Sequence, residues 1–150
     1  LIDTSIKKSR ARFGVTLASS KTASRTLIKH RKSPCCYCLI SDQNPGQKNN
    51  YQWVTFLNQD TAVINGPEII ANNFNYPVVY MSTYRIKRGV YKVQGHLLTN
   101  HSTEESNATI TEKAMRQLEN DIKQYPSDWL WTHRRWKMKK EPQSTPDKNS

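Results

Sequence analysis

The chain has 150 residues, the length of one domain with a sizeable core and too short for two. Its formal charge of +11, from 23 Lys and Arg against 12 Asp and Glu, favours anionic partners, and a hydrophobic content of 35% is low for a chain of this size. No apolar run reaches the ~18 residues of a membrane-crossing helix, no signal peptide stands at Leu1, and neither zinc-finger spacing nor an Arg-rich recognition helix is present.

Asp3 to Phe13 reads as a helix with Ile2, Ile6 and Phe13 as sparse apolar positions and Gly14 as its stop. Val15-Thr16-Leu17 is a short strand candidate. Thr22 to Arg31 reads as a second helix, with Ala23, Leu27 and Ile28 on its apolar face and Ser33-Pro34 ending it. Cys35 to Ile40 is a continuous apolar run bounded by turn signals, the pattern of a strand buried on both faces. Three cysteines in one cluster, Cys35, Cys36 and Cys38, argue against a disulfide framework. They lack the Cys-x2-Cys spacing of zinc sites, and neighbours on a strand point to opposite faces. They read as small apolar residues of a buried strand in a reducing, cytoplasmic setting.

Ser41 to Tyr51 is polar, contains Pro45 and Gly46, and reads as a loop. It leaves the end of a buried strand, where open α/β sheets place ligand-handling groups, so Asp42 is a site candidate. The alternative for Asp42 is an Asx turn capping backbone amides. Trp53 to Leu57 reads as a strand. Asn65 or Gly66 starts a helix through Asn73, with Pro67 where a missing N–H costs little and Ile69, Ile70 and Ala71 packing inward. The Gly66 backbone can approach a ligand closely, or simply begin the helix. Pro77 to Ile86 and Val90 to Leu98 flank Lys87-Arg88-Gly89 and read as a β-hairpin. Tyr91, Val93 and Gly95 alternate with Lys92, Gln94 and His96, so one face is expected to be wetter. Arg85, Lys87 and Arg88 crowd the tip, either for an anionic partner or as a solvated turn.

Thr109-x-x-Glu112 reads as a capping box for a helix running to Tyr125, and Ile110, Ala114, Leu118 and Ile122, with Met115 beside them, form its core stripe. After Tyr125-Pro126 comes Trp129-Leu130-Trp131-Thr132-His133-Arg134-Arg135-Trp136-Lys137. Indoles have an apolar body and a polar N–H, and paired arginines offer forked donors to phosphate or carboxylate. The segment therefore suits an anionic lipid interface. The other reading is a C-terminal clamp, with tryptophans covering the core edge and arginines pairing with acids. Residues 138–150 are polar with two prolines and read as a disordered tail, leaving 1–137 as the folded portion.

Four of these segments, in order from about residue 3 to residue 137, resemble the bacterial lipid A biosynthesis acyltransferases. The Trp-Leu-Trp-x-His-Arg-Arg-Trp-Lys run follows Met115, Leu118, Glu119, Ile122 and Tyr125-Pro126 as the family's C-terminal signature does. Ser41-Asp42-Gln43-Asn44-Pro45 resembles its Asp-Gln or Asp-His segment. Phe56-Leu57, Thr61 and Gly66 to Ala71 resemble its Phe-Phe-Gly…Thr…Gly-x-x-x-Leu-Ala pattern, and Arg10-Ala11-Arg12-Phe13-Gly14 is a weaker match near the start. The resemblance implies an α/β fold: a mixed sheet flanked by helices, the C-terminal half of the fold shared by glycerolipid acyltransferases.

The family's His-x4-Asp or His-x4-Glu pair has no counterpart. His30, His96, His101 and His133 are followed five positions on by Cys35, His101, Ser106 and Met138. The expectation is the C-terminal part of a larger enzyme, inactive alone, with no catalytic residue, metal ligand or cofactor of its own. By resemblance, the parent moves a fatty acyl group from an acyl carrier protein thioester to a hydroxyl of an anionic phosphoglycolipid, the lipid A precursor. It works at the cytoplasmic face of the bacterial inner membrane, with that surface as a partner and without nucleic acid. The substrate-binding candidates are Arg10, Arg12, Asp42, Gly66, Arg134 and Arg135. The alternative is a non-catalytic basic domain that binds an anionic membrane surface or nucleic acid.

Overall fold

The structure, a computed structural model, describes residues 2–19, 22–46 and 50–141. The chain divides into two compact units, residues 1–38 and 39–150. The first holds α1 (Ile2–Ala11) and α2 (Ala23–His30). Gly14 ends the first helical stretch at φ +80°, a conformation that suits a residue without Cβ, and donates its N–H to the Ala11 carbonyl at 3.1 Å. Of the apolar face expected for α2, Leu27 is buried and Ile28 is exposed. The Tyr37 hydroxyl donates to the Leu27 carbonyl at 3.4 Å, folding the chain back over α2.

Two expected strands are absent from the structure. Val15-Thr16-Leu17 is an exposed segment without a ladder. Cys35 to Ile40 is likewise irregular, and its three cysteines are free and exposed rather than buried. A strand buried on both faces needs hydrogen-bonded neighbours on both sides. Among the described residues the four strands pair only with one another, in two hairpins, so this run has no ladder to join.

The second unit has the α/β character expected, with helices packed on small antiparallel sheets. β1 (Tyr51–Phe56) and β2 (Gln59–Ile64) pair from Tyr51↔Ile64 to Phe56↔Gln59. The two-residue turn between them, Leu57-Asn58, has φ of +49° and +61°, the left-handed pair of a type I′ hairpin turn. β2 escapes a reading of turn signals because Leu stands where Asn or Gly is usual. Leu57 tolerates the position because its side chain is held against the core. α3 (Gly66–Phe74) follows, with Pro67 in its first turn as expected, and ends at Asn75 in the left-handed region, φ +50°. Thr103 donates to the Asn75 side-chain oxygen from its N–H at 3.3 Å and its hydroxyl at 3.0 Å, and Ser102 donates to the Ala71 carbonyl at 2.7 Å. These bonds seat the short 3-10 turn Ser102–Glu104 on the end of α3.

α4 (Thr109–Gln124) carries the long apolar stripe, with Ile110, Met115 and Ile122 buried and Leu118 partly so. The expected capping box does not form. Ala108, at φ +75°, occupies the cap and Thr109 is already helical, so no side chain of the segment caps the helix. The buried Glu68 of α3 does this work instead, accepting the third-position N–H of Thr111 at 3.1 Å and the Thr111 hydroxyl. A carboxylate there satisfies an orphan donor and complements the positive end of the helix dipole.

β3 (Val78–Lys87) and β4 (Val90–Thr99) form the expected second hairpin, turning at Arg88-Gly89 with Gly89 at φ +77°. Its faces differ, and the polar one is covered along β3. Tyr80, Ser82 and Tyr84, paired with His96, Gln94 and Lys92, lie on the side of α4. There Asp121 accepts the Tyr80, Ser82 and Tyr84 hydroxyls at 2.9, 2.6 and 3.1 Å, and the Gln117 amide at 3.2 Å. Burial, and then the bond to Asp121, push the Tyr80 hydroxyl well above the usual phenol range. The remaining core joins Val54, Phe56, Val63, Met115 and Ile122, with Leu57, Leu118, Trp129 and Trp136 packed on it.

The expected tail lies outside the described residues from 142 onward, and Lys140 stands 3.7 Å from Asp60 of β2.

Asp121→Ala is expected to cost about 2–4 kcal/mol in chemical denaturation, because it strands the hydroxyls of buried Ser82 and Tyr84 and half-buried Tyr80 at once. Acid should also weaken the fold through Glu119, a buried residue whose carboxylate accepts Lys123 at 2.7 Å. That bond holds its pKa below the usual carboxylate range. A lowered folded pKa means its contribution is complete above the unfolded value and lost as pH falls through the folded one. Denaturation midpoints measured down the acid range should therefore fall less steeply in Glu119→Gln than in the parent.

Candidate functional site

Beyond α4 the chain passes a 3-10 turn, Pro126–Asp128, and returns across β1 and β2 in irregular turns. The tryptophans of this return divide by direction. Trp129 and Trp136 lie against Phe56, at ring-centroid distances of 6.3 and 6.4 Å, and Trp136 donates its indole N–H to the Thr61 hydroxyl at 2.9 Å. Trp131 points outward, 57% exposed beside an exposed Leu130, with its N–H on the Pro126 carbonyl at 2.7 Å.

The adjacent arginines divide the same way. Arg135 is 1% exposed and donates Nη1–H to the Ala62 carbonyl of β2 at 2.7 Å. Its Nε and Nη2 find no partner among the described residues. Those two atoms form one edge of the guanidinium, the geometry that takes a carboxylate or phosphate in a forked contact. Burial pushes the Arg135 pKa below the usual guanidinium range, and the charge of Asp42 opposes that shift. Arg134 is exposed.

The loop expected to carry the site docks on this turn. Asn44 donates its backbone N–H to His133 Nε2 at 3.0 Å and its side-chain amide to the Arg135 carbonyl at 2.8 Å, while Pro45 is fully buried. Asp42 sits half-buried on the same loop. An imidazole nitrogen that accepts a backbone N–H carries no proton, so His133 is held with its proton on Nδ1. That acceptor is committed to the loop and not open to a substrate hydroxyl. Among the described residues no ion pair joins a histidine to a carboxylate.

The structure thus joins Asp42 and Arg135, 93 positions apart in the chain, through Asn44 and His133, which the residue-by-residue reading left without a role. The one signal for Asn44 was its place in Ser41-Asp42-Gln43-Asn44-Pro45. Gly66 opens α3, and a Cβ there would make only an ordinary contact of 3.7 Å with Ile64, so the position suits a helix start without demanding glycine. Arg10 and Arg12 belong to the first unit. Both are exposed, and the Arg12 guanidinium stands 5.7 Å from the Phe13 ring centre.

Residues 1–138 match the family model of the bacterial lipid A biosynthesis acyltransferases. The chain belongs to that family. No curated protein and no solved structure matches it. The match spans both halves of the docked site, the Asp42 loop and the Trp129–Lys137 return, and extends over the first unit with Arg10 and Arg12.

In this lipid A acyltransferase chain the two arginines should separate cleanly in thermal and chemical denaturation. Arg135→Ala empties a large buried volume and strands the Ala62 carbonyl, costing about 2–4 kcal/mol. Arg135→Met restores most of the volume without a desolvated charge and should cost less than half as much. Arg134→Ala, at an exposed position, should stay within about 0.5 kcal/mol of the parent.

Proposed function

We propose that this chain is the acceptor-handling portion of an enzyme that transfers a fatty acyl group from an acyl carrier protein thioester to a hydroxyl of a lipid A precursor at the cytoplasmic face of the inner membrane. The observation that carries the reading is the family match over residues 1–138 in a sequence where no histidine has a carboxylate five positions later. Acyl transfer to a hydroxyl needs a base oriented by a third group. His133, the one histidine docked at the site, is held by a backbone amide instead of a carboxylate. On this reading the chain does not supply the base, and its own part is to hold the anionic acceptor. Arg134 fits that task by exposure, next to the outward Leu130 and Trp131. Arg135 fits the complementary task of setting the turn from beneath, with Asn44 fixing the Asp42 loop beside it.

The purified chain, given acyl carrier protein thioester and lipid A precursor, is expected to show no turnover above buffer, and measurable turnover would overturn this division of labour. In the complete enzyme, Arg134→Ala should lower kcat/KM roughly ten- to hundred-fold with an unchanged melting temperature. Arg134→Lys should restore part of the loss, because an ammonium cannot make the forked contact. Unchanged specific activity in Arg134→Ala would remove this residue from acceptor binding.

A further inference from the structure

The outer face of the β3–β4 hairpin is apolar and bare. Register places Val79 opposite Leu97, Met81 opposite Gly95, Thr83 opposite Val93 and Arg85 opposite Tyr91, all on the side turned away from Asp121. Val79, Met81, Tyr91, Val93 and Leu97 are 49% to 60% exposed. Side chains this large, contiguous on one face of a sheet, mark a contact surface rather than scattered surface apolarity. Its charge pattern restricts the partner. Residues 77–99 contain no Asp or Glu, and the tip carries Arg85, Lys87, Arg88 and Lys92. All four are exposed, and none forms an ion pair among the described residues. The tip also adjoins the approach to the C-terminal return. The Arg85 N–H donates to Asp128 at 3.0 Å, two residues before Leu130, and the Tyr84 and Tyr125 rings stand 4.6 Å apart.

We infer that this hairpin is a membrane-docking element, its apolar face seated on an anionic bilayer surface and its basic tip among the lipid phosphates. An apolar face with a polybasic margin is the combination that binds anionic lipid, through buried area and charge together. A second copy of the chain fits poorly, because a symmetric face-to-face pairing repeats the same acid-free, cationic surface on both sides. The inference rests on the proposed function only in placing the acceptor lipid in the same bilayer. Its test contains neither acceptor nor acyl donor, so its failure leaves the acyl-transfer reading standing.

The test is co-sedimentation of the full chain with vesicles of phosphatidylglycerol and phosphatidylethanolamine, against vesicles of phosphatidylcholine alone. Partitioning should favour the anionic vesicles by about tenfold or more and fall as salt is raised. Val93→Thr with Leu97→Thr keeps residues suited to strands and should lower partitioning roughly tenfold. Lys87→Gln with Arg88→Gln, at the exposed turn, should lower it by a similar factor and flatten the salt dependence. Circular dichroism checks that each variant is folded, and the turn variant decides the matter should the strand variant fail to fold. Equal binding to neutral vesicles, or folded variants that bind like the parent, would overturn the proposal. So would a sedimentation-velocity dimer that the strand variant dissociates.

Discussion

The second unit depends on the return of its last described segment onto its first hairpin. Two strands by themselves are marginal in water, since each buries too little. Here Phe56 packs with the inward tryptophans Trp129 and Trp136, while Thr61 and the Ala62 carbonyl receive donors from Trp136 and Arg135. Aromatic burial supplies most of the stabilisation and the polar contacts set its register. Because the return also holds Asn44, the same packing that completes the core places the Asp42 loop. Core and candidate site are therefore one construction, and a change in either should be felt in the other.

Internal carboxylates explain much of the remaining architecture. Asp121 binds the hydroxyl face of the second hairpin to α4, Glu68 caps α4 from α3, and Glu119 is held by Lys123. Three of only 12 acidic residues thus serve inside the unit. The basic excess is correspondingly left on the surface, and the β3–β4 tip is one of its clusters. Committing the polar face of that hairpin to Asp121 has a further consequence. The outer face left to solvent is mainly apolar, an arrangement that favours a partner and would otherwise cost solubility.

The Trp129–Lys137 segment shows how one motif carries two jobs. Trp129, Arg135 and Trp136 face the core, and Leu130, Trp131 and Arg134 face out. The clamp and the interface, alternatives when the residues are read as a string, are both present on opposite sides of an irregular turn. The inward set fixes the backbone, and through it the direction in which Arg134 is presented. An unmatched edge on a buried guanidinium is costly. Its tolerance beside Asp42 fits a site whose stability is subordinate to its geometry.

Features governed by near neighbours were legible in the sequence. The ends of α1 and α2, the Pro67 start of α3, the Gly89 hairpin and the four-residue stripe of α4 all follow from local propensity and periodicity. So did the family, because its motifs are short strings in a fixed order. Features governed by distant partners were not. Cys35 to Ile40 has the composition of a buried strand, but composition cannot supply the ladder that makes one. The Leu57-Asn58 turn adopts left-handed angles because the core holds Leu57, not because its residues prefer them. α4 is capped by Glu68 from another helix, 43 positions away from Thr111, where the local Thr-x-x-Glu pattern pointed to itself. Arg134 and Arg135 are the same residue type at adjacent positions, with one exposed to solvent and the other buried on the Ala62 carbonyl. Only the path of the backbone through three dimensions distinguishes them, since burial is a property of what packs around a side chain and not of the side chain itself.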